Sequence, residues 1–207
     1  MKVLGLVGSG RKDGNTNTLV ERILEGARSK KLETKKVFLA DLNVEPIGDC
    51  VACRRAGKCS KRDDFDSLMD AVLDSDCVIF GTPMYWYGPS AQMKAFIDRW
   101  VCRMHFDEAG FRARMKGKKC VLVVPHQDEK LTGANYVLGI MERTFEYMDM
   151  ALVAKMQTTA WRRQDVSRDE AALRHAFELG AKLTELEAFK KASGSVTFNF
   201  SKSRSES

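Results

Sequence analysis

Five short apolar runs recur along the chain, and each is followed by a segment with a different hydrophobic pattern. The runs are "KVLGLV", "KKVFLA", "CVIFGT", "CVLVV" and "ALVAKM". Runs of this length that stay largely apolar are typical of parallel strands buried on both faces. We therefore predict five strands.

The segments between these runs have apolar residues three and four positions apart, as one face of a helix requires. After the first run these residues are Leu19, Val20, Ile23, Leu24 and Ala27. Later helices are marked by Phe65, Leu68, Met69 and Val72, by Met93, Phe96, Ile97 and Trp100, by residues 133–147, and by Leu173, Ala176, Phe177, Gly180 and Leu183. The alternation predicts an α/β fold, a doubly wound five-stranded parallel sheet with helices on both faces.

Two segments stand outside the alternation. The region from Asp41 to Arg62 has no clear period and carries three cysteines. Residues 191–207 are Ser-rich and polar, which predicts a tail that is either disordered or packed as an arm on a partner subunit. Because neither a repeat nor a linker divides the remainder, we predict that residues 1–190 form one domain.

Composition and charge narrow the range of partners. Hydrophobic residues make up 44% of the chain, and the formal net charge of +6 favours anionic partners without identifying one. The basic residues are dispersed, so the sequence does not indicate a nucleic-acid module. No apolar run approaches the ~20 residues that span a bilayer, and the N-terminus lacks the pattern of a secretory signal. We expect a cytoplasmic protein with neither a nucleic-acid nor a membrane partner.

The stretch "GLVGSGRKDGNTNTLV", residues 5–20, runs from the first strand through a polar loop into a helix. Such a loop presents free backbone N–H groups and the positive end of a helix dipole, which predicts an anion site. The P-loop pattern fails because Arg-Lys follows Gly10 where Lys and Ser or Thr are required. The dinucleotide pattern fits Gly8 and Gly10 but has Asp13 in place of its third glycine, although Asp41 would suit its ribose contact.

A third pattern surrounds a monophosphate with hydroxyl and amide donors, helped by one arginine. Flavodoxin-like folds bind FMN in this way, at the point where the strand order reverses. The alternative is a helix that is merely capped, with Asn15 or Thr16 as the N-cap. The loop by itself leaves both interpretations open. Its candidate ligands are Ser9, Arg11, Asn15, Thr16, Asn17 and Thr18.

The loop after the third strand contains three successive aromatic residues, Tyr85, Trp86 and Tyr87, between Pro83 and Gly88. A doubly wound sheet places this loop beside the first one. Exposed aromatic side chains are costly unless they cover something, and a flat tricyclic ring is one candidate. Packing on the core or at a subunit interface is the alternative.

The two loops together resemble a known family. "GSGRKDGNTNTLVERILEGA" and "SDCVIFGTPMYWYGPSAQMKAFIDRW" resemble the NADPH-dependent FMN reductase and iron–sulfur flavoprotein group of the flavodoxin-like superfamily. The resemblance implies the strand order 2-1-3-4-5, bound FMN, and a homodimer or homotetramer. It also implies two sets of cofactor-binding residues. Those at the phosphate would be Ser9, Arg11, Asn15, Thr16 and Asn17, and those along the isoalloxazine would be Pro83, Met84, Tyr85, Trp86 and Gly88.

The cysteine segment "CVACRRAGKC" places Cys50, Cys53 and Cys59 in a C-x2-C-x5-C spacing. Iron–sulfur flavoproteins carry a compact run of four cysteines at this position, and a [4Fe–4S] cluster usually needs four thiolates. We therefore predict no cluster or metal, with these three thiols as the candidate ligands if one is present. Neighbouring basic residues make a redox-active thiol pair the alternative. The other cysteines, predicted to lie in the core, are Cys77, Cys102 and Cys120.

The loop after the fourth strand, "PHQDEKLTG", should border the flavin because strand carboxyl ends face the ligand in such a sheet. His126 is its most capable polar group. It could donate to a flavin carbonyl or, when protonated, stabilise the reduced ring. The alternative is a solvent-facing histidine that only ends the strand.

The implied function is an FMN-dependent oxidoreductase that passes hydride from NAD(P)H through FMN to a small-molecule acceptor by a ping-pong scheme. Free flavin, a quinone and a nitro compound are candidate acceptors, and no catalytic side chain is required. The rival is an iron–sulfur flavoprotein or flavodoxin-like electron carrier that binds FMN without turning over NAD(P)H. The basic charge argues against a flavodoxin. A regulatory nucleotide-binding protein is a further rival.

Overall fold

A twisted parallel sheet organises the chain, seen in a computed structural model that describes residues 1–128, 130–189 and 197–200. The strands are β1 (Lys2–Val7), β2 (Glu33–Phe38), β3 (Cys77–Gly81), β4 (Met84–Tyr85), β5 (Gly88–Pro89), β6 (Lys119–His126), β7 (Ala151–Thr159) and β8 (Thr197–Phe200). The main sheet has the order β2-β1-β3-β6-β7-β8, and its neighbouring strands pair in parallel. β4 and β5 form a separate antiparallel hairpin. The first five main-sheet strands have the predicted order, so the flavodoxin-like fold is confirmed.

Seven described helices flank the sheet. They are α1 (Asn15–Ser29), α2 (Val51–Ala56), α3 (Phe65–Asp74), α4 (Ala91–Asp98), α5 (Trp100–Met115), α6 (Asn135–Tyr147) and α7 (Glu170–Ala181). Side chains of α1 and α7 join the hydrophobic core on one face of the sheet, and side chains of α3 to α6 join the core on the other face.

The alternation of side chains along β1 explains why its run is apolar throughout. Val3 and Val7 belong to the core beneath α1 and α7, whereas Leu4 and Leu6 belong to the opposite core. Successive side chains of a strand point to opposite faces, so a strand covered on both sides needs apolar residues at every position. Gly5 lies directly beneath the side chains of α1.

α1 and α7 cross at two glycines. A Cβ atom on Gly26 would overlap the backbone of Phe177, and one on Gly180 would overlap the backbone of Ile23. The two helices therefore approach backbone to backbone. This close crossing fixes the position of α1, and with it the loop that precedes α1.

Besides the β4–β5 hairpin, three elements differ from the sequence prediction. The unpredicted α5 is interrupted at Asp107, whose φ of −154° is not helical, and the interruption shifts the phase of the buried residues on either side. The unpredicted α2 lies in the segment without a clear period. Within the predicted tail, Thr197–Phe200 add β8 beside β7, while residues 191–196 and 201–207 lie outside the described residues.

None of the described helices combines the length and apolar character needed to cross a membrane.

Candidate functional site

The loops after β1, β3, β6 and β7 converge at the carboxyl edge of the sheet. Backbone hydrogen bonds join them: the Gly8 N–H donates to the Gly81 carbonyl (2.7 Å), and the Ala160 N–H donates to the His126 carbonyl (2.7 Å). They enclose a cavity of about 210 Å³. Its walls include Ser9, Arg11, Gly14, Asn15, Thr16, Pro83, Met84, Tyr85, His126, Gln127, Trp161, Arg162 and Arg163.

The first turn of α1 faces this cavity without a side-chain cap. Its N-cap is Gly14, which corrects the alternative in which Asn15 or Thr16 merely caps the helix. A Cβ atom on residue 14 would come within 2.9 Å of the Arg11 Cβ, so the turn favours glycine. An uncapped helix N-terminus leaves N–H donors and a positive partial charge available to an anion.

Two of the predicted phosphate ligands are engaged with the protein itself. Asn15 Nδ2 donates to the Arg162 carbonyl (2.9 Å), and its Oδ1 accepts from the Val166 N–H (3.1 Å). Asn17 Nδ2 donates to the Lys12 carbonyl (2.6 Å), and Asn17 does not line the 210 Å³ cavity. Both amides therefore fix the shape of the loop.

The dinucleotide interpretation loses support from the position of Asp41. Its carboxylate forms an ion pair with the Lys12 ammonium group, which also lies over the Phe38 ring. Ser9, in contrast, is buried against the cavity, with its Oγ accepting from the Arg11 N–H (3.2 Å). Polar contacts at this end of the site therefore suit a compact anion more than a ribose.

The loop after β7 supplies residues that were not predicted for the site. Arg163 pairs with Asp13 of the first loop (Nε to Oδ1, 2.7 Å), and Gln127 Nε2 donates to the Trp161 carbonyl (2.6 Å). Arg162 lines the cavity together with Arg11. Among the described residues, neither the Arg11 nor the Arg162 guanidinium has a hydrogen-bond partner. "WRR" directly follows a predicted parallel strand, so the rule that selected the first loop could also have selected this one.

The β4–β5 hairpin carries the aromatic side chains on a strained turn. Trp86 and Tyr87 have φ angles of +48° and +64°, as the central positions of a type I′ turn require. Those positions normally hold Asn and Gly, because glycine has no Cβ atom and asparagine tolerates the left-handed conformation better than other side chains do. Trp86 is 96% exposed and Tyr85 is 54% exposed. Backbone strain that presents bare aromatic surface points to a binding role.

Two open grooves lie beside the hairpin, and one of them adjoins the 210 Å³ cavity. The nearer groove, of about 720 Å³, lies between Trp86, Lys130 and Trp161. The farther one, of about 690 Å³, is bounded by the hairpin and α6, where the Tyr87 and Tyr136 rings meet edge to face at 5.7 Å. Trp86 lines both grooves, whereas the predicted residue Gly88 lines only the farther one.

His126 is a buried side chain in the wall of the cavity rather than a solvent-facing one. It is 3% exposed, and within the part of the chain that the structure describes neither ring nitrogen makes a hydrogen bond of normal geometry, although the Asp128 backbone and the Gln157 side chain lie close to the ring. Burial lowers the pKa of His126, while Asp128 and Gln157 act in the opposite direction. Buried polar atoms normally find partners, so the ring is suited to receive a polar atom of a ligand.

The cysteine segment brings its thiols near a buried ion pair. Arg99 pairs with Asp63 (2.7 Å), and Arg99 Nη2 lies 3.8 Å from Cys59 Sγ. Within residues 1–128, 130–189 and 197–200, no group of three or more His, Cys, Asp and Glu side chains is arranged to hold a metal ion. The cysteines predicted to be buried, Cys77, Cys102 and Cys120, are buried.

Comparison with known proteins shows which family the chain belongs to. The model of the NADPH-dependent FMN reductase family matches residues 1–158. The chain belongs to this family. The predicted family is thereby confirmed.

Curated relatives carry two kinds of name. The iron–sulfur flavoprotein MJ1083 of Methanocaldococcus jannaschii is 39% identical over 99 residues, covering 48% of this chain and 51% of that protein. An iron–sulfur flavoprotein of Archaeoglobus fulgidus is 36% identical over 118 residues, covering 57% of this chain and 51% of that protein. YwqN of Bacillus subtilis, named as an NAD(P)H-dependent FMN-containing oxidoreductase, is 29% identical and covers 86% of this chain and 96% of its own length. The matches to the two iron–sulfur flavoproteins thus span about half of their length.

Solved structures support the same fold. The chain aligns with Smu.1420 of Streptococcus mutans at a TM-score of 0.68 and 18% identity, covering 88% of this chain and all of that one. It aligns with the Trp repressor binding protein of Bacillus subtilis at a TM-score of 0.65 and 24% identity, covering 86% and 96% of the two chains. At these identities the likeness shows a shared fold and nothing about ligands.

Proposed function

We propose that this chain is an FMN-dependent NAD(P)H oxidoreductase that reduces a small-molecule acceptor by a ping-pong scheme. The observation that carries the proposal is the 210 Å³ cavity, which combines an uncapped helix N-terminus with two arginines whose guanidinium groups have no partner among the described residues, beside the aromatic hairpin. A phosphate-bearing aromatic cofactor has both of the chemical features that these walls complement.

The phosphate of FMN would lie at the N-terminus of α1. The backbone N–H groups of the first turn donate there, and Arg11 and Arg162 supply positive charge from opposite loops. Ser9 and Thr16 add hydroxyl groups at the buried end of the cavity. Charge-assisted bonds of this kind are about twice as strong as neutral ones, so the two arginines would contribute a large share of the affinity.

The ring of FMN would lie along the hairpin, between Pro83, Met84, Tyr85 and Trp86 on one side and His126 on the other. Aromatic and thioether side chains gain dispersion energy and shed water when a flat ring covers them. His126 holds an N–H donor at the inner wall, where a ring carbonyl would satisfy it. FMN, when bound, supplies the group that accepts hydride from reduced nicotinamide and returns it to an acceptor.

The open grooves would admit the two substrates in turn. Trp86, Trp161 and the paired Tyr87 and Tyr136 rings offer flat apolar surface to nicotinamide and afterwards to an aromatic acceptor such as free flavin, a quinone or a nitro compound. Sharing one groove requires the first product to leave before the acceptor enters.

We also expect a homodimer or homotetramer in the cytoplasm, consistent with the exposed aromatic surface around the hairpin.

A second candidate is an electron carrier of the iron–sulfur flavoprotein type, because relatives at 36–39% identity over about half their length carry that name. It would bind FMN in the same cavity but would also hold a cluster at the cysteines. The +6 net charge does not suit the acidic type of carrier represented by flavodoxins.

One purified preparation distinguishes these functions. Reductase activity predicts a yellow protein whose flavin absorbance bleaches on addition of NADPH or NADH without oxygen, and returns when a quinone is added. A yellow protein that NAD(P)H does not bleach would contradict the reductase. Iron and sulfide near four equivalents per chain after anaerobic purification would favour the carrier.

A further inference from the structure

A turn between β2 and α3 folds one end of the cysteine segment back over the other. α2 ends at Gly57, whose φ of +66° is the left-handed value that glycine adopts without strain. The Gly57 N–H donates to the Arg54 carbonyl (3.2 Å), and the Lys58 N–H donates to the Cys53 carbonyl (3.2 Å). This reversal returns the chain to the Cys53 side chain.

The hydrogen bonds of the turn distinguish the sulfur atoms. Cys53 Sγ accepts from the Ser60 N–H (3.4 Å) and lies 3.2 Å from Ser60 Oγ. Cys50, in contrast, points its S–H at the Gly48 carbonyl (3.5 Å). A sulfur that accepts from a fixed N–H is stabilised as the thiolate, whereas a sulfur that donates is held as the thiol.

Cys59 faces a fixed cation. Arg99 Nη2 lies 3.8 Å from Cys59 Sγ, and the same guanidinium is anchored by Asp63 and by the Glu45 carbonyl (3.0 Å). Because the Arg99 and Asp63 side chains are each only 2% exposed, this charge cannot move away from the sulfur. Cys59 and Cys53 are themselves partly exposed, so small reagents can reach them.

We propose that Cys53 and Cys59 form a reactive dithiol that reduces hydroperoxides, with Cys53 as the attacking sulfur and Cys59 as the resolving one. None of the three cysteines lines the cavities described above, so the proposal does not depend on the flavin site. The substrate class is hydrogen peroxide or a small organic hydroperoxide.

The chemistry balances with the groups present. The Cys53 thiolate attacks one peroxide oxygen, the O–O bond breaks, and the departing oxygen takes a proton and leaves as water or an alcohol. Cys53 is then a sulfenic acid. The Cys59 sulfur attacks the Cys53 sulfur, the S–O bond breaks, and water leaves as the disulfide forms. Two thiols are oxidised, and one peroxide is reduced by two electrons.

The test begins with the reduced, desalted full-length protein. One equivalent of hydrogen peroxide is added, remaining thiols are blocked with iodoacetamide, and tryptic peptides are analysed by mass spectrometry without reduction. Trypsin cuts after Arg54, Arg55 and Lys58, so Cys59 falls on a different peptide from Cys53. Cys50 and Cys53 share a peptide, and fragmentation of the linked peptides shows which of the two is bonded to Cys59. We expect a Cys53–Cys59 linked pair as the main product. Equal linkage of Cys50 to either partner, or oxidation without any linkage, would overturn the proposal.

Variants test the assigned roles. Cys59→Ser should leave Cys53 as a sulfenic acid that dimedone traps, and Ser60→Ala should slow the reaction of Cys53 with peroxide by about two- to tenfold, the effect of one hydrogen bond. Cys50→Ser is the matched control and should react as the wild type does. The proposal fails if Ser60→Ala and wild type react at the rate of a free thiol, or if anaerobic reconstitution with iron and sulfide loads a cluster onto the same thiols.

Discussion

A mutation of Arg162 gives the most direct test of the proposed phosphate site. Its guanidinium lines the cavity and has no partner among the described residues, and it was not predicted from the sequence. Arg162→Gln should weaken FMN binding about ten- to hundredfold, because a hydrogen bond to a charged group contributes ~1.5–3 kcal/mol. Titration with FMN and with riboflavin separates the causes, since riboflavin lacks the phosphate and its affinity should not change.

Arg168→Gln is the control for that measurement, because Arg168 is a basic residue of the same region that does not line the cavity. An equal loss of FMN and riboflavin affinity in Arg162→Gln would mean that the arginine supports the loop rather than the phosphate.

His126 gives the second prediction at this scale. Because burial lowers its pKa, the imidazole is neutral at pH 7 and above, and its role is that of an N–H donor rather than a cation. His126→Val removes the donor and should lower the flavin midpoint potential by ~20 mV, since ~30 mV corresponds to 1.4 kcal/mol for two electrons and one bond contributes ~1 kcal/mol. Spectroelectrochemical titration at pH 7 and pH 8 should give the same shift.

His126→Gln retains a donor and should keep most of the wild-type potential. A shift in His126→Gln as large as that in His126→Val, growing as the pH falls to 6, would instead indicate a protonated imidazole.

Some of the site residues predicted from the sequence line the cavity, and others do not. Ser9, Arg11 and Thr16 follow a strand and precede a helix, and the structure brings them to one cavity with Pro83, Met84, Tyr85 and His126. The role of each toward FMN stays a prediction. Asn17 has the same sequence position but a different environment, because its amide bonds to the Lys12 carbonyl. Such a choice between backbone and ligand depends on tertiary geometry that spacing does not encode.

The hairpin is the element whose sequence conflicts most with its conformation. Replacing Trp86 and Tyr87 by Asn and Gly should relieve strain of ~1–2 kcal/mol per residue, so the apoprotein should resist urea better. The same change should weaken FMN binding because the aromatic surface is lost. Equilibrium unfolding in urea and FMN titration measure the two effects separately.

Tyr85→Ser is the matched control for the hairpin, since it removes an aromatic ring from β4, where the backbone is extended. It should weaken FMN binding without stabilising the apoprotein. Unchanged FMN affinity in the Asn-Gly variant would show that the strained turn serves another purpose.

The crossing of α1 and α7 gives a prediction about packing. Gly26→Ala should lower the free energy of unfolding by ~2–3 kcal/mol, because the new methyl group meets backbone of α7 that cannot move aside. Gly139→Ala in α6 is the matched control. Nothing lies within 4 Å of its Cβ position, and alanine is the better helix former by ~1 kcal/mol, so this variant should be more stable than wild type.

Urea unfolding of both glycine variants measures the difference. If Gly26→Ala were as stable as Gly139→Ala, the backbone-to-backbone crossing would not exist in solution.

At the level of elements, long regular patterns were readable and interrupted ones were not. β1 and β3 are marked by continuous apolar runs because both faces of the sheet are covered, and α1 is marked by the spacing of its apolar residues. α5 escaped detection because its break at Asp107 shifts the phase between Cys102 and Phe111, both of which are buried. β8 forms by pairing with β7, and the sequence of the polar tail gives no sign of this pairing.

At the scale of the whole molecule, the buried Arg99–Asp63 ion pair links two segments that are far apart in the chain. Arg99 lies between α4 and α5, and Asp63 precedes α3, so the pair ties the cysteine segment to the core. Arg99 also stacks over Phe65 (4.6 Å). Sequence reasoning could not find this pair, because 36 residues separate its members and both belong to segments rich in charge. A pair this buried is costly to break, since the remaining charge has no water to solvate it.

Asp63→Asn should therefore reduce the free energy of unfolding at pH 7 by ~3–5 kcal/mol.

Burial opposes ionisation of Asp63, but hydrogen bonds from Arg99 and from the Glu45 and Phe65 N–H groups outweigh it, so its pKa lies below the usual value of 3.8. Because the folded state binds this proton less readily than the unfolded state, the stabilisation is complete well above pH 3.8 and is lost as the pH falls through the folded pKa. The deficit of Asp63→Asn should thus narrow as the pH falls below about 4. Asp74→Asn, which removes an exposed partner of Lys2, should change stability little at either pH. A deficit that stays constant down to pH 3 would mean that Asp63 does not hold its charge against Arg99 in the folded protein.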